Sequence, residues 1–245
     1  MSNEPVTRKE RERQAHRREI LAGARSVFTL KGFADTTMDE IATAAEFGKG
    51  TIYTHFSSKE ELFVAVIEDV LGELAGTVAA AVENEYEFPE RIELLVRGIL
   101  EYAVSSPRSL YLVTRELRVP VLGGSVRNAV EGVLLPLTRA IGAEQHAGRM
   151  VQEIKPDVLA NVLMNMIVSR FLVILRESGG ETETGAHCHA LQHASLISAG
   201  MTAARLSIDI EDAVATVRRI FLHGAVVTAT DRNPKRTSIT RRKTS

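Results

Sequence analysis

A short stretch near the N-terminus carries side chains whose chemistry suits the edges of DNA bases. Between Lys49 and Phe56 the chain reads KGTIYTHF, and on a helix Ile52 and Phe56, four residues apart, face one way, toward a core. The residues left facing outward are short or rich in hydrogen-bond donors: Lys49, Gly50, Thr51, Thr54 and His55. Small residues allow close backbone approach, lysine donates to guanine acceptors or a phosphate, and a threonine methyl can meet a thymine methyl. The pattern predicts a helix that reads the DNA major groove.

Two preceding helices would position this segment. From Arg17 onward apolar residues recur at helical spacing, and Gly32 is a plausible C-terminal cap. Asp35-Thr36-Thr37 offers N-cap side chains for a short second helix, and Glu46-Phe47-Gly48 separates that helix from the third. Three helices with a tight turn between the last two form the unit that places its final helix in the major groove.

A fourth, long helix follows directly. Ser58 lies three residues before Glu61, which is the spacing of a capping box, and the apolar residues Leu62 and Phe63 come next. We therefore expect this helix to begin at about Lys59 and to join the N-terminal unit to the rest of the chain.

The segment TTMDEIATAAEFGKGTIYTHFSSKEELF resembles the DNA-binding motif of the TetR family of bacterial regulators. The likeness runs from about Arg17 to Val70 and includes a threonine pair, an I-A-x-x-A core, a K-G-x-I-Y-x-H-F recognition helix and K-x-x-L-F at the start of helix four. The resemblance implies phosphate contacts from Thr37, Tyr53, His55 and Lys59. It implies that Met38, Lys49, Gly50, Thr51 and Thr54 lie at or near base edges.

Two residues in the turn depart from the family pattern, which usually reads A-G-V-S. Glu46 stands where glycine is usual, at a position that often needs a positive φ and would mildly strain a glutamate. Gly48 replaces the usual serine or threonine cap, at a cost of only a few tenths of a kcal/mol. These departures leave the angle of the third helix open, and they are the one feature that favours a helical scaffold without DNA binding.

Charge is distributed unevenly along the 245 residues. Residues 1–59 carry a net charge of +2, residues 60–230 a net charge of −8 and residues 231–245 a net charge of +5. A polyanion would therefore meet the two ends and avoid the middle. The basic stretch Thr7 to Arg18 is either a solvated helix face or, through Arg8, Lys9, Arg11 or Arg13, a second DNA contact.

Several function classes find no support in the sequence. The single Cys188 cannot form an internal disulfide, and the N-terminus lacks the apolar core of a signal peptide, so we expect a cytoplasmic protein with no membrane partner. No G-x-S-x-G, P-loop or H-E-x-x-H motif is present, so we expect neither an enzyme nor a cofactor. His187, His189 and His193 could bind a metal, but an exposed insertion is the better interpretation and no metal site is predicted.

The remainder is predicted to be an α-helical domain for effector binding and dimerisation. Further helices are indicated at about 89–104, 107–117, 125–141, 156–176 and 210–227, with a polar loop over 179–185 and a disordered tail. The family fold implies that the last two long helices pair with their twins in a homodimer. Candidate effector-pocket residues combine apolar bulk with a few polar groups: Tyr102, Tyr111, Arg115, Met164 and Arg170.

The sequence thus predicts an all-α protein with four parts. These are a basic N-terminal arm (1–13), a helix-turn-helix domain (14–74, with its motif at 37–56), a helical effector and dimerisation domain (75–230) and a basic tail (231–245). The function expected is that of a transcriptional regulator, a repressor that a small molecule releases from a palindromic double-stranded DNA operator. Dimerisation serves this function because one short recognition helix reads few base pairs.

Overall fold

The computed structural model describes residues 7–116, 124–178 and 203–225. All regular elements in these ranges are α-helices, which confirms the all-α prediction. Their bounds are α1 Arg8–Lys31, α2 Met38–Ala44, α3 Lys49–His55, α4 Lys59–Val82, α5 Phe88–Ser105, α6 Pro107–Glu116, α7 Gly124–His146, α8 Pro156–Ser178 and α9 Ala203–Ala225. The predicted loop at 179–185, the His187 cluster and the tail lie outside the described residues.

Helix α1 is longer than its apolar pattern indicates. It begins at Arg8, where the side chain of Thr7 caps it by accepting a hydrogen bond from the backbone of Glu10 at 3.2 Å. The residues before Ile20 are mostly exposed and charged, whereas Ile20, Ala24 and Phe28 are fully buried. An amphipathic pattern indicates only the part of a helix that packs on a core. The polar first turns of α1 therefore cannot be predicted from this pattern.

The three-helix unit is closed by an aromatic cluster at the point where α1, the following loop and α4 meet. The ring of Phe63 lies 4.9 Å from those of both Phe28 and Phe33, centroid to centroid. Rings at this separation pack favourably in edge-on or tilted arrangements. The cluster fixes α4 against α1 and therefore sets the platform on which α2 and α3 lie.

Helix α4 carries the core from the N-terminal unit into the helical domain. It packs against α1 and α6 and, along its length, against α5 and α7, while α9 packs on α5 and α8, and α7 packs on α8. Its own inward residues are almost all apolar, and Val70 and Val78 are fully buried. One continuous apolar core therefore links the described parts of both domains.

Helix α8 is a long and largely apolar helix. Its segment Pro156–Val173 could span a membrane by length and composition alone, a test that core helices of soluble proteins also pass. One face, with Leu159, Leu163 and Ile167, is buried against neighbouring helices. The opposite face combines exposed Val158 and Val162 with polar residues, which is the composition of a protein surface that another helix can cover.

Candidate nucleic-acid interface

The turn between α2 and α3 forms a Schellman motif around Glu46. The backbone N–H of Phe47 donates to the carbonyl of Ala42 at 3.0 Å, and that of Glu46 donates to Thr43 at 3.2 Å. Glu46 has φ of 58°, the one non-glycine residue with positive φ among the described residues. The motif ordinarily uses glycine at this position because a Cβ is disfavoured there. The glutamate therefore leaves the turn intact at the cost of local strain, as expected from the sequence.

Helix α3 is anchored by two side chains and presents the others outward. Ile52 and Phe56 are 0% and 1% exposed, in the core of the three-helix unit. The structure places most of the predicted DNA-contacting residues of this helix on the opposite side: Lys49, Gly50, Tyr53 and Thr54 are exposed, and Thr51 and His55 are half-buried. A Cβ added to Gly50 would meet open space, so nothing in the protein crowds this face. The helix can therefore approach a groove closely.

The N-termini of α2 and α3 lie side by side, joined by an ion pair. The Nζ of Lys49 lies 2.8 Å from Oδ1 of Asp39 and 3.0 Å from its Oδ2. The carboxylate raises the pKa of the Lys49 ammonium above its usual range through a hydrogen bond and charge attraction. The outward surface at this point is thus a paired cation and anion.

Thr37 and Met38 have different roles at the start of α2. The hydroxyl of Thr37 accepts from the backbone of Glu40, whose carboxylate accepts from the Thr37 N–H at 3.0 Å, completing a capping box. The hydrogen bond from the Lys31 ammonium is the largest cause that lowers the pKa of the Glu40 carboxyl to about 2, and the hydrogen bond from the Thr37 N–H is the next. The Met38 side chain, expected near base edges, is instead in the core and only 9% exposed. The exposed neighbour Asp39 takes the outward position.

Lys59, expected at a phosphate, makes internal contacts. Its Nζ donates to the carbonyl oxygens of Phe33 at 2.9 Å and Thr36 at 2.8 Å, and lies 4.5 Å from the centre of the Phe33 ring. These carbonyls belong to the loop between α1 and α2, so the ammonium fastens that loop to the start of α4. A phosphate contact from Lys59 stays a prediction. A phosphate bound there would have to share the ammonium with the carbonyl oxygens of Phe33 and Thr36.

A groove of about 620 Å³ separates the first turns of α1 from the end of α3. The His16 ring lies 5.1 Å from the ring of Phe47 and 6.3 Å from that of His55. Burial, followed by the charges of Arg13, His16 and Arg17, lowers the pKa of His55. His55 therefore favours its neutral form and can donate one N–H to a phosphate without carrying charge.

A polar junction connects α1 to the linking helix α4 and to α5 and α6 of the larger domain. Arg25 on α1 donates to both carboxylate oxygens of Glu73 at 2.6 and 2.9 Å, and its Nε donates to Ser109 at 2.8 Å. The Tyr102 hydroxyl donates to Glu73 at 2.6 Å and accepts from Arg25 at 3.2 Å. Burial and the bond to Glu73 raise the pKa of Tyr102. The sequence analysis did not identify Arg25 as a residue of this junction. The signal that could have indicated it is an arginine on a face of α1 whose other residues are small or apolar.

The proposed effector-pocket residues are spread over this domain. Tyr102 belongs to the Arg25 junction, Met164 packs against the core, and Arg170 donates to Asp212 on α9 at 3.2 Å. Tyr111 and Arg115 lie on α6, and their side chains fall outside the described part of the structure. Their role in a pocket stays a prediction.

Residues 20–66 match the family model for bacterial regulatory proteins of the tetR family. This part of the chain is therefore similar to the DNA-binding segment of that family. The match covers α2, α3 and the packing faces of α1 and α4, which are the elements that form the interface described above.

Two relatives of similar sequence are HTH-type transcriptional regulators. The chain is 32% identical over 122 residues to the uncharacterized HTH-type transcriptional regulator YhgD of Bacillus subtilis, covering 50% of this chain and 61% of YhgD. It is 29% identical over 145 residues to the HTH-type transcriptional activator FasR of Mycolicibacterium smegmatis, covering 57% of this chain and 66% of FasR. These matches thus span less than two thirds of either relative.

The fold is similar to that of solved regulators over most of the chain. The crystal structure of FadR from Bacillus subtilis, in complex with stearoyl-CoA, aligns with a TM-score of 0.60 at 17% identity, covering 81% of this chain and 97% of FadR. The likeness extends into the larger domain, so the all-α architecture behind the DNA-binding unit is shared with this solved structure.

Proposed function

We propose that this protein is a sequence-specific DNA-binding transcriptional regulator. The observation that carries the proposal is the exposed face of α3, whose donors and small residues project from a helix anchored by Ile52 and Phe56. Thr37, Tyr53 and His55 would hold the phosphates, and Lys49, Gly50, Thr51 and Thr54 would lie at base edges. The scaffold alternative rested on the altered turn, and that turn retains both of its closing hydrogen bonds.

We propose a homodimer that forms through α8 and α9. The apolar residues Val158, Val162 and Leu172 are 45%, 46% and 43% exposed and fall on one face of α8. On α9, Ile220 is 55% exposed, and a groove of about 400 Å³ is lined by Ala215, Leu222, Arg218, Arg219 and His223. An apolar stripe on α8 beside a mixed apolar and basic surface on its neighbour α9 suits a four-helix interface with two-fold symmetry. Such a dimer presents two copies of α3 to a palindromic operator.

A small-molecule effector would act on the spacing of those two helices. FadR, a structural neighbour, was solved in complex with stearoyl-CoA, which supports a small-molecule ligand for this chain too. The Arg25 junction touches α4, α5 and α6 from α1, so a ligand that displaces Tyr102 or Ser109 would also displace α1. Release follows if the effector favours a dimer whose recognition helices no longer fit successive grooves. We therefore propose a repressor rather than an enzyme, acting in the cytoplasm where its operator lies.

Selection from a random duplex library tests the DNA-binding proposal. Full-length protein should enrich a palindromic sequence, and its affinity for that duplex should fall steeply with added salt. Tyr53→Phe removes one hydroxyl donor from the exposed face and should weaken binding about equally for all sequences. Thr51→Val keeps the shape of the side chain and should change the selected bases. Failure to enrich any sequence, with the protein folded and dimeric, would overturn the proposal.

A further inference from the structure

We propose that Asp39 and Lys49 together read one G·C base pair in each half-site, with Asp39 as a specificity-determining residue. This inference rests on the proposed DNA-binding function and names the chemistry of one position within it. The residue expected to lie near base edges in α2, Met38, is buried, and Asp39 is the neighbour whose side chain is 70% exposed.

The geometry places a donor and an acceptor next to each other on the outward surface. Lys49 is the first residue of α3 and Asp39 the second of α2, and their charged atoms are 2.8 to 3.0 Å apart. A G·C pair shows two guanine acceptors followed by the cytosine amino donor along the major groove. The ammonium matches the first two positions and the carboxylate the third. In this same register an A·T pair places the adenine amino donor beside the ammonium and the thymine O4 acceptor against the carboxylate, so the carboxylate has no donor.

Asp39 has no comparable role inside the free protein. The N-terminus of α2 already has Glu40 in its capping box, so a second carboxylate is not needed to satisfy backbone donors. The pair with Lys49 is exposed on both sides, at 51% and 70%, and such surface pairs contribute little to stability. DNA can therefore take over both partners without disrupting the fold.

The negative charge also argues for a base contact rather than a phosphate contact. A carboxylate on a DNA-facing surface is repelled by every phosphate and gains only where it meets a base-edge donor. Asp39 therefore weakens non-specific binding and strengthens binding at its own base pair, and both effects increase sequence discrimination.

Selection with matched variants tests this assignment. Wild type, Asp39→Ala and Lys49→Met are each selected against a random duplex library, with Glu211→Ala as control. Glu211 is a 58% exposed acid that pairs with Arg97 far from α3 in sequence, and it belongs to α9 of the helical domain. We expect the wild type to select G·C at one position per half-site. Both Asp39→Ala and Lys49→Met should lose that preference, by on the order of 10-fold, at the same position.

A modified duplex separates base reading from simple positioning of Lys49. Removing the 4-amino group of the selected cytosine should weaken binding by the wild type and leave Asp39→Ala unaffected. The inference is overturned if Asp39→Ala selects the same bases as wild type, if the two variants lose preference at different positions, or if the amino group proves irrelevant to the wild type. Failure of the wild type to select any sequence would instead overturn the proposed function itself.

Discussion

At the scale of single residues, Glu46 concentrates the local strain of the DNA-binding unit. Its φ of 58° belongs to the left-handed region, and the residue is exposed. A residue with a Cβ is destabilised by about 1–2 kcal/mol in that conformation, whereas glycine, which has no Cβ, is not. The turn keeps this strained conformation because the two hydrogen bonds of the Schellman motif and the packing of Phe47 against the core stabilise it.

Glu46→Gly should therefore stabilise the protein. Relief of strain exceeds the extra chain entropy of glycine, and we expect the free energy of unfolding to rise by about 0.5–1 kcal/mol. Urea denaturation followed by circular dichroism measures the change. Glu46→Ala retains the Cβ and removes only the carboxylate, so it should leave stability nearly unchanged. An equal gain from both variants would show that the charge, not the backbone, causes the strain.

Lys59 is a second residue whose role the structure redefines. Lys59→Met keeps most of the side-chain length and leaves the carbonyls of Phe33 and Thr36 without their donor. We expect the free energy of unfolding to fall by about 1–2 kcal/mol. Lys155→Met, at an exposed lysine before α8, is the matched control and should change stability little. A stable Lys59→Met protein that has lost only DNA affinity would contradict the internal role.

The contrast between Met38 and Asp39 shows how far sequence reasoning reaches at this scale. Residues 38, 41, 42 and 45 carry apolar side chains at the spacing of a helical core face, which agrees with the burial of Met38. The family resemblance implied that Met38 lies near base edges, whereas the exposed side chain is that of its neighbour Asp39, since one residue on a helix turns the side chain by about 100°. The prediction that Ile52 and Phe56 face the core, by contrast, is confirmed. Their four-residue spacing places both side chains on the buried face of α3.

At the scale of elements, the crossing of α1 and α2 depends on one glycine. A Cβ on Gly23 would lie 2.7 Å from the Cβ of Ala45 and 2.8 Å from its Cα and backbone N. Ala45 is the C-cap of α2, immediately before the strained turn. The contact is with backbone, so α2 would have to move away from α1. The sequence does not reveal this crossing, because an apolar pattern fixes which faces pack but not how closely.

Gly23→Ala should consequently destabilise the three-helix unit. We expect a loss of about 1–3 kcal/mol, as found when a well-packed site is overfilled, together with weakened DNA binding as α3 shifts. Gly72→Ala is the control, since Gly72 lies within α4 with open space around it and should gain up to about 1 kcal/mol from lower chain entropy. Thermal unfolding and DNA affinity are measured for both. Equal behaviour of the two variants would contradict the close crossing.

At the scale of the whole molecule, the account requires two copies of the chain. The sequence correctly indicated that α8 is apolar over more than one face, and the structure separates the buried face from an exposed stripe. Which stripe remains exposed follows from how α8 packs on α5, α7 and α9, and a single-helix pattern does not contain that information. Helix α9 begins at Ala203, earlier than the predicted Ile210.

Val162→Asp should disrupt the dimer. The side chain is 46% exposed at the centre of the α8 stripe, and a charge there would be buried without a partner in the dimer. Leu135→Asp on α7 is the control, because Leu135 is 45% exposed and lies outside α8 and α9. Sedimentation or light scattering should show a monomer for Val162→Asp and a dimer for the control. A dimer in both would place the interface elsewhere.

The central claim is that two copies of α3, held by one dimer, enter the major groove of a palindromic site. A hydroxyl-radical footprint on the duplex enriched by selection tests it most directly. We expect symmetric protection of two half-sites whose centres lie one helical turn apart, about 10–10.5 base pairs, or a multiple of this. The protection should disappear for Val162→Asp at concentrations where the wild type is bound. A single protected patch, or full protection by the monomeric variant, would contradict the account.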